Sequence, residues 1–136
     1  MKASLPLGDT LIRTLVVDEA RCISFMGEDA RVYATPHMIN DMEYTCRDLL
    51  LRHLDPGEDS VGANVTVDHL AATPLGMDVI IEARLTGVEG RRVSFAVVAR
   101  DGLEECGRGT HVRFVVDVGK SRERIAAKRQ RAGLIK

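Results

Sequence analysis

The feature that most restricts the fold of this chain is a single change of period. From Pro36 to Leu54 the sequence reads as one long amphipathic helix, with Ile39, Glu43, Cys46 and Leu50 at helical spacing on one face. From Ser60 to Val118 the apolar spacing becomes two and stays there. Val61, Ala63, Val65, Val67 and His69 share one side of a first extended segment, with Gly62, Asn64, Thr66 and Asp68 on the other. Met77, Val79, Ile81, Ala83 and Leu85 share a side of the next, and Val93, Phe95, Val97 and Ala99 of a third. A last strand runs from about Glu104 to Val118. TPLG, GVEGR and the Asp101-Gly102 pair supply the turns between them.

Ahead of the helix, Thr10 to Asp18 is β-branched and apolar and reads as a strand, while EARCISFMGEDARVYA has no period and reads as a loop or lid. Thr35 followed by Pro36 marks the helix start, with Thr as N-cap and Pro at the first helical position. Pro56 and Gly57 stop the helix. Short connections make the strands antiparallel neighbours. One helix with one apolar face and about five strands satisfy each other when the sheet curls around the helix, an α+β arrangement. The uncovered sheet edges then call for a homodimer or higher homo-oligomer.

Composition narrows the function. A chain of 136 residues, 45% of them hydrophobic, builds one core without disulfides. The division expected is a single domain over 1–119 and a basic tail over 120–136. That tail holds seven Lys and Arg against one Glu, a charge of +6 that leaves −7 on the rest of the chain. It reads either as a solvated helix around Arg124 to Arg131 or as a landing surface for a phosphorylated cofactor or another anion. Trp is absent and the formal net charge is −1, so neither base stacking nor a general field favours nucleic acid as a partner. Cys22, Cys46 and Cys106 form no CxxC pair, and no His or Cys cluster has metal-ligand spacing. A soluble protein of the reducing cytoplasm, with no membrane span and no metal, is the expectation.

Three residues stand out chemically. Glu43 sits in the middle of a face destined for the core, where a carboxylate must be hydrogen-bonded, paired, neutral or opened to a cavity. His69 is in phase with four apolar residues, so its ring is expected to face the same interior; alone it would be a satisfied core histidine, but with Glu43 it makes a general acid/base pair. Thr35 has enough to do as a cap, yet its hydroxyl hydrogen is free to donate to a substrate oxygen at the positive helix end. Gly62 is either a bulge or a place where substrate approaches a backbone N–H. Arg113 is either an exposed sheet charge or, facing a cleft, a brace for Gly62 or a phosphate ligand.

The segments ATPHMINDMEYTC, DHLAATPLG, VEGRRVSFAVVARDG and GRGTHVRF, in this order and spacing, closely resemble the fluoroacetyl-CoA thioesterase family, small homodimeric hot-dog-fold hydrolases. The resemblance spans nearly everything from Tyr33 to Val118 and implies a long central helix wrapped by a curved antiparallel sheet. It implies Thr35, Glu43 and His69 as the catalytic set, with Gly62 and Arg113 shaping the thioester-binding region. The substrate so implied is an acyl-CoA thioester, with coenzyme A entering only as part of it and no separate cofactor. His69 would serve as general base and then acid. Glu43 would either orient His69 and water or attack directly to give a mixed anhydride. Thr35 would position these groups and the Gly62 amide would contact the oxyanion.

One departure concerns the aromatic-rich lid of that family. The stretch from Glu19 to Tyr33 is shorter and holds only Phe25 and Tyr33, which points to a small or medium acyl group rather than to fluoroacetyl selectivity. Two other classes keep the same pocket: a non-catalytic acyl-CoA-binding sensor, and a hot-dog enoyl-CoA hydratase or dehydratase.

Overall fold

The computed structural model describes residues 1–134. In chain order the elements are β1 (Thr10–Val16), α1 (Thr35–Leu51), β2 (Glu58–His69), β3 (Asp78–Glu89), β4 (Arg92–Asp101), β5 (Glu105–Asp117) and α2 (Val118–Arg131). Short 3₁₀ turns at Glu19–Arg21 and Glu28–Ala30 lie between β1 and α1. The strands form one antiparallel sheet in the order β1-β3-β4-β5-β2, so the α+β architecture read from the change of period holds.

The core lies between α1 and the inward side of the sheet. Met38, Met42, Cys46, Leu49 and Leu50 are buried against Val79, Ile81, Ala83 and Leu85 of β3 and Val93, Phe95, Val97 and Ala99 of β4. Burial of each large side chain contributes about 1.5–3 kcal/mol, which far exceeds what helix propensity alone supplies. α1 can approach closely because Gly107 on β5 has no side chain; a Cβ there would overlap the sulfur of Met38.

Several local expectations are corrected. The buried stripe of α1 is centred on Met38, Met42, Cys46 and Leu49, which leaves Ile39 and Glu43 half-buried on its shoulder. α1 ends at Leu51 rather than Leu54, its last carbonyls being closed by the amides of Arg52 and His53. Its N-cap is Ala34, extended at φ −78° and ψ 137°, and Thr35 is already inside the helix with no capping role. β2 carries a bulge at Ala63, since Gly62 pairs with Arg113 while Asn64 pairs with Val112. The extra residue inverts the expected phase upstream of it. Val61 is 51% exposed, while Gly62 turns toward the helix side together with buried Ser60. The β4–β5 turn closes between Asp101 and Glu104, with Gly102 and Leu103 at its centre.

The segment before α1 is fastened rather than loose. Arg21 grips both carboxylate oxygens of Asp41 on α1, and the buried Tyr33 hydroxyl donates to the same carboxylate. α2 is the expected basic helix, longer at its start than the sequence suggested; none of its side chains is buried, and Asp117 caps it by accepting from the Lys120 amide. The last two residues of the expected tail lie outside the described ones. No helix among the described residues is long and apolar enough to cross a membrane.

Candidate active site

Two clusters contain all five residues singled out in the sequence. The first joins the start of α1 to the end of β2. Because Ala34 takes the cap, the Thr35 side chain is free to turn to the sheet, where its Oγ1 lies 2.6 Å from Nδ1 of His69. His69 is half-buried, opposite Gly107 of β5. Its other ring nitrogen, Nε2, is buried and has no hydrogen-bond partner among the described residues. An imidazole fixed through one nitrogen with the other unsatisfied is held ready for a proton donor or acceptor.

The second cluster gathers around the Ala63 bulge. A Cβ on Gly62 would stand 3.6 Å from Oε1 of Glu43, 3.6 Å from Nη1 of Arg113 and 3.4 Å from Cε1 of His111. Arg113 is 6% exposed, not the surface charge that a strand position allows. Its Nε donates to Ser60 Oγ at 2.7 Å and its Nη2 to the Ser60 carbonyl at 2.8 Å. Burial works against the guanidinium charge and the Glu43 carboxylate supports it. A cavity of about 550 Å³ opens here, and Asn40, Glu43, Ser60, Gly62 and Arg113 are among the residues that line it. Cys46 lies buried beneath, and desolvation pushes its thiol up to about 12, which makes it an inert packing residue.

Gly62 therefore faces the one place where a methyl would fill working space without colliding with backbone. All three distances are ordinary or slightly tight contacts, and no positive φ is recorded at this glycine. Gly62→Ala is expected to leave the thermal midpoint within a few degrees of the parent while hydrolysis drops by about 10-fold or more. Melting and rate measurements on one preparation check it; unchanged turnover would separate the glycine from substrate.

Among the described residues no contact joins the two clusters within this chain. Gly62 and His69 are seven residues apart on β2, roughly 20 Å at the rise of a strand. The Glu43 carboxylate stands beside the first and the Thr35 hydroxyl beside the second. Sequence reasoning also passed over His111 and Ser60. Their signal was available: His111 precedes Arg113 by two, so both point to one face, and Ser60 precedes Gly62 by two on the opposing strand.

Comparison with solved structures places this architecture among hot-dog-fold thioesterases. A hypothetical protein of Thermus thermophilus described as a thioesterase superfamily member is 28% identical, with a TM-score of 0.89 over 98% of this chain and 99% of its own. A structure of a fluoroacetyl-CoA thioesterase is 35% identical, with a TM-score of 0.85 over 92% of this chain and 98% of that one. The family profile described as fluoroacetyl-CoA-specific thioesterase matches residues 17–119. The fluoroacetyl-CoA thioesterase of Streptantibioticus cattleyicolor is 36% identical over 94% of this chain and 97% of its own length. The chain belongs to the fluoroacetyl-CoA-specific thioesterase family and is a thioester hydrolase.

Proposed function

We propose that the protein hydrolyses small or medium acyl-CoA thioesters at a site that two protomers share, with Glu43 of one facing His69 of the partner subunit. The observation that carries this reading is the division of the five residues between the two ends of β2, whose outer edge is open. β2 is twelve residues long, and among the described residues only β5 pairs with it. An edge of that length invites an isologous antiparallel partner.

Sidedness limits the registers, and the positions of the two clusters choose among them. Below the bulge, Val65, Val67 and His69 point inward and Thr66 and Asp68 outward. Directly opposed residues of an antiparallel pair point to the same face, so a dyad must pass through a residue, not between two. A dyad at Thr66 sets Val65 against Val67 of the partner subunit and brings the Gly62–Ala63 bulge opposite His69 of the partner subunit. Glu43, Arg113 and the partner's Thr35–His69 pair then surround one thioester.

The chemistry follows from those positions. With Nδ1–H of His69 donating to Thr35 Oγ1, Nε2 keeps a lone pair and takes a proton from water as its oxygen attacks the thioester carbonyl. The Gly62 amide and Arg113 stabilise the oxyanion, and Glu43 orients the water and supports the imidazolium. Collapse breaks the C–S bond, and the imidazolium returns its proton to the CoA thiolate, leaving free acid and CoA. Groups of the chain itself, the Gly62 amide included, fill every role, so no metal or separate cofactor is invoked.

The lid carries Phe25, 82% exposed, as its only aromatic besides buried Tyr33, which supports breadth among small acyl groups over selectivity for fluoroacetyl. Three free cysteines support a cytoplasmic setting. Thiol release and enoyl absorbance, followed together from acetyl-CoA to octanoyl-CoA and crotonyl-CoA, provide the test. Thiol release from the short saturated substrates is expected. Tight binding without thiol release would make the protein a sensor, and loss of enoyl absorbance without thiol release would make it a hydratase.

A further inference from the structure

Resting on this reading of the Glu43–Arg113 cluster, we propose that His111 is a positioning residue: a neutral imidazole, locked with its proton on Nδ1, that clamps the β2 bulge to Arg113 and thereby sets the guanidinium beside Glu43. Two contacts fix the tautomer without reference to hydrogens. Nδ1 lies 2.7 Å from the carbonyl oxygen of Asn64, which can only accept, so Nδ1 carries the proton. Nε2 lies 3.1 Å from Nη1 of Arg113, which can only donate, so Nε2 is bare.

Of the groups packed against the ring, burial and Arg113 favour the neutral state and outweigh the Asn64 carbonyl and Glu43, which favour the charged one. On β2, the extra residue Ala63 turns the Asn64 carbonyl toward the ring. On β5, Arg113 places a cation against Nε2. On β4, Phe95 stacks over the imidazole with centroids 6.2 Å apart. On α1, Glu43 is the one anion acting on the ring, opposed by burial and by Arg113. Burial comes first and Arg113 adds to it, so His111 is held below the ordinary range of an imidazole. A depressed histidine stabilises the fold fully above about pH 6.5 and loses that contribution as pH falls.

The consequence for the site is geometric. Ser60 holds Arg113 from one side through Nε and Nη2, and His111 holds it from the other through Nη1. Three of the five guanidinium N–H groups are thus committed, leaving two for Glu43 and the substrate oxygen. Loss of the acceptor at Nε2, or a proton added to it, frees the guanidinium to swing and releases the bulge that carries the Gly62 amide.

The test separates this role from packing and from the thioesterase reading. His111→Phe keeps the ring and its stacking but removes both polar contacts, whereas His111→Gln keeps an acceptor for Arg113 and a donor for Asn64. His111→Phe is expected to lower kcat by between about 10-fold and 100-fold with KM little changed, and His111→Gln to recover most of the loss. Equal impairment of the two folded variants, or full activity of the Phe variant, would overturn the clamp. Nitrogen NMR of the wild-type ring gives an outcome independent of turnover. A neutral Nδ1–H tautomer persisting below the pH at which an ordinary imidazole takes up its second proton supports the clamp even if no acyl-CoA is hydrolysed, and an Nε2–H or charged ring at neutral pH removes it.

Discussion

Replacing His69 with Gln should lower kcat/KM for acyl-CoA hydrolysis by roughly 10³-fold while the protein remains folded. Both halves of that expectation follow from where the residue sits. It is the last residue of an edge strand, half-buried, and its one side-chain hydrogen bond among the described residues is to the exposed Thr35. The core cluster of α1, β3 and β4 does not include it. Its substitution therefore removes a proton-transfer group and little packing. A half-buried change outside the core costs about 1 kcal/mol in stability, whereas loss of a general base costs several powers of ten in rate. Thiol release followed with a colorimetric trap, beside a melting curve, decides between the two effects. A folded variant within 10-fold of the parent would assign the base to another group.

The sequence states the architecture more plainly than the phase of individual residues. Alternation through Val79 to Leu85 and Val93 to Ala99 translates directly into buried positions, because the register irregularities of both strands fall beyond these stretches. The same count fails at Val61 and Gly62. One bulged residue at Ala63 shifts everything upstream to the opposite face, and a count of period two carries no mark of an insertion.

Thr35 shows a different limit. A Thr-Pro pair is equally compatible with capping and with the first helical turn, and it is the contact with His69, 34 residues away, that selects the second. Glu43 lies on the helix shoulder because Met38 and Met42 set the buried stripe, an offset of one residue from the stripe read in sequence. Inwardness was legible for both Glu43 and His69, but not their separation along β2. Direction toward a core fixes a face, and only the register between α1, β2 and β5 fixes the position on that face.

Two inactive variants should rescue one another. In the shared-site arrangement, a dimer of Glu43→Ala lacks the acid at both sites and a dimer of His69→Ala lacks the imidazole at both. A mixed dimer places the intact Glu43 of one protomer opposite the intact imidazole of the other, and concentrates both lesions in the second site. Random exchange makes half of the dimers mixed and gives each one working site, so an equal mixture should recover about a quarter of the parental activity from parents that have almost none. Exchange is promoted by mild denaturation and dilution, and each variant treated alone serves as the control. A site built within one protomer cannot be complemented this way, because every chain in the mixture carries a lesion of its own. Absence of recovery, in a mixture whose mass spectrum shows mixed dimers, would return Glu43 and His69 to one subunit and overturn the shared site.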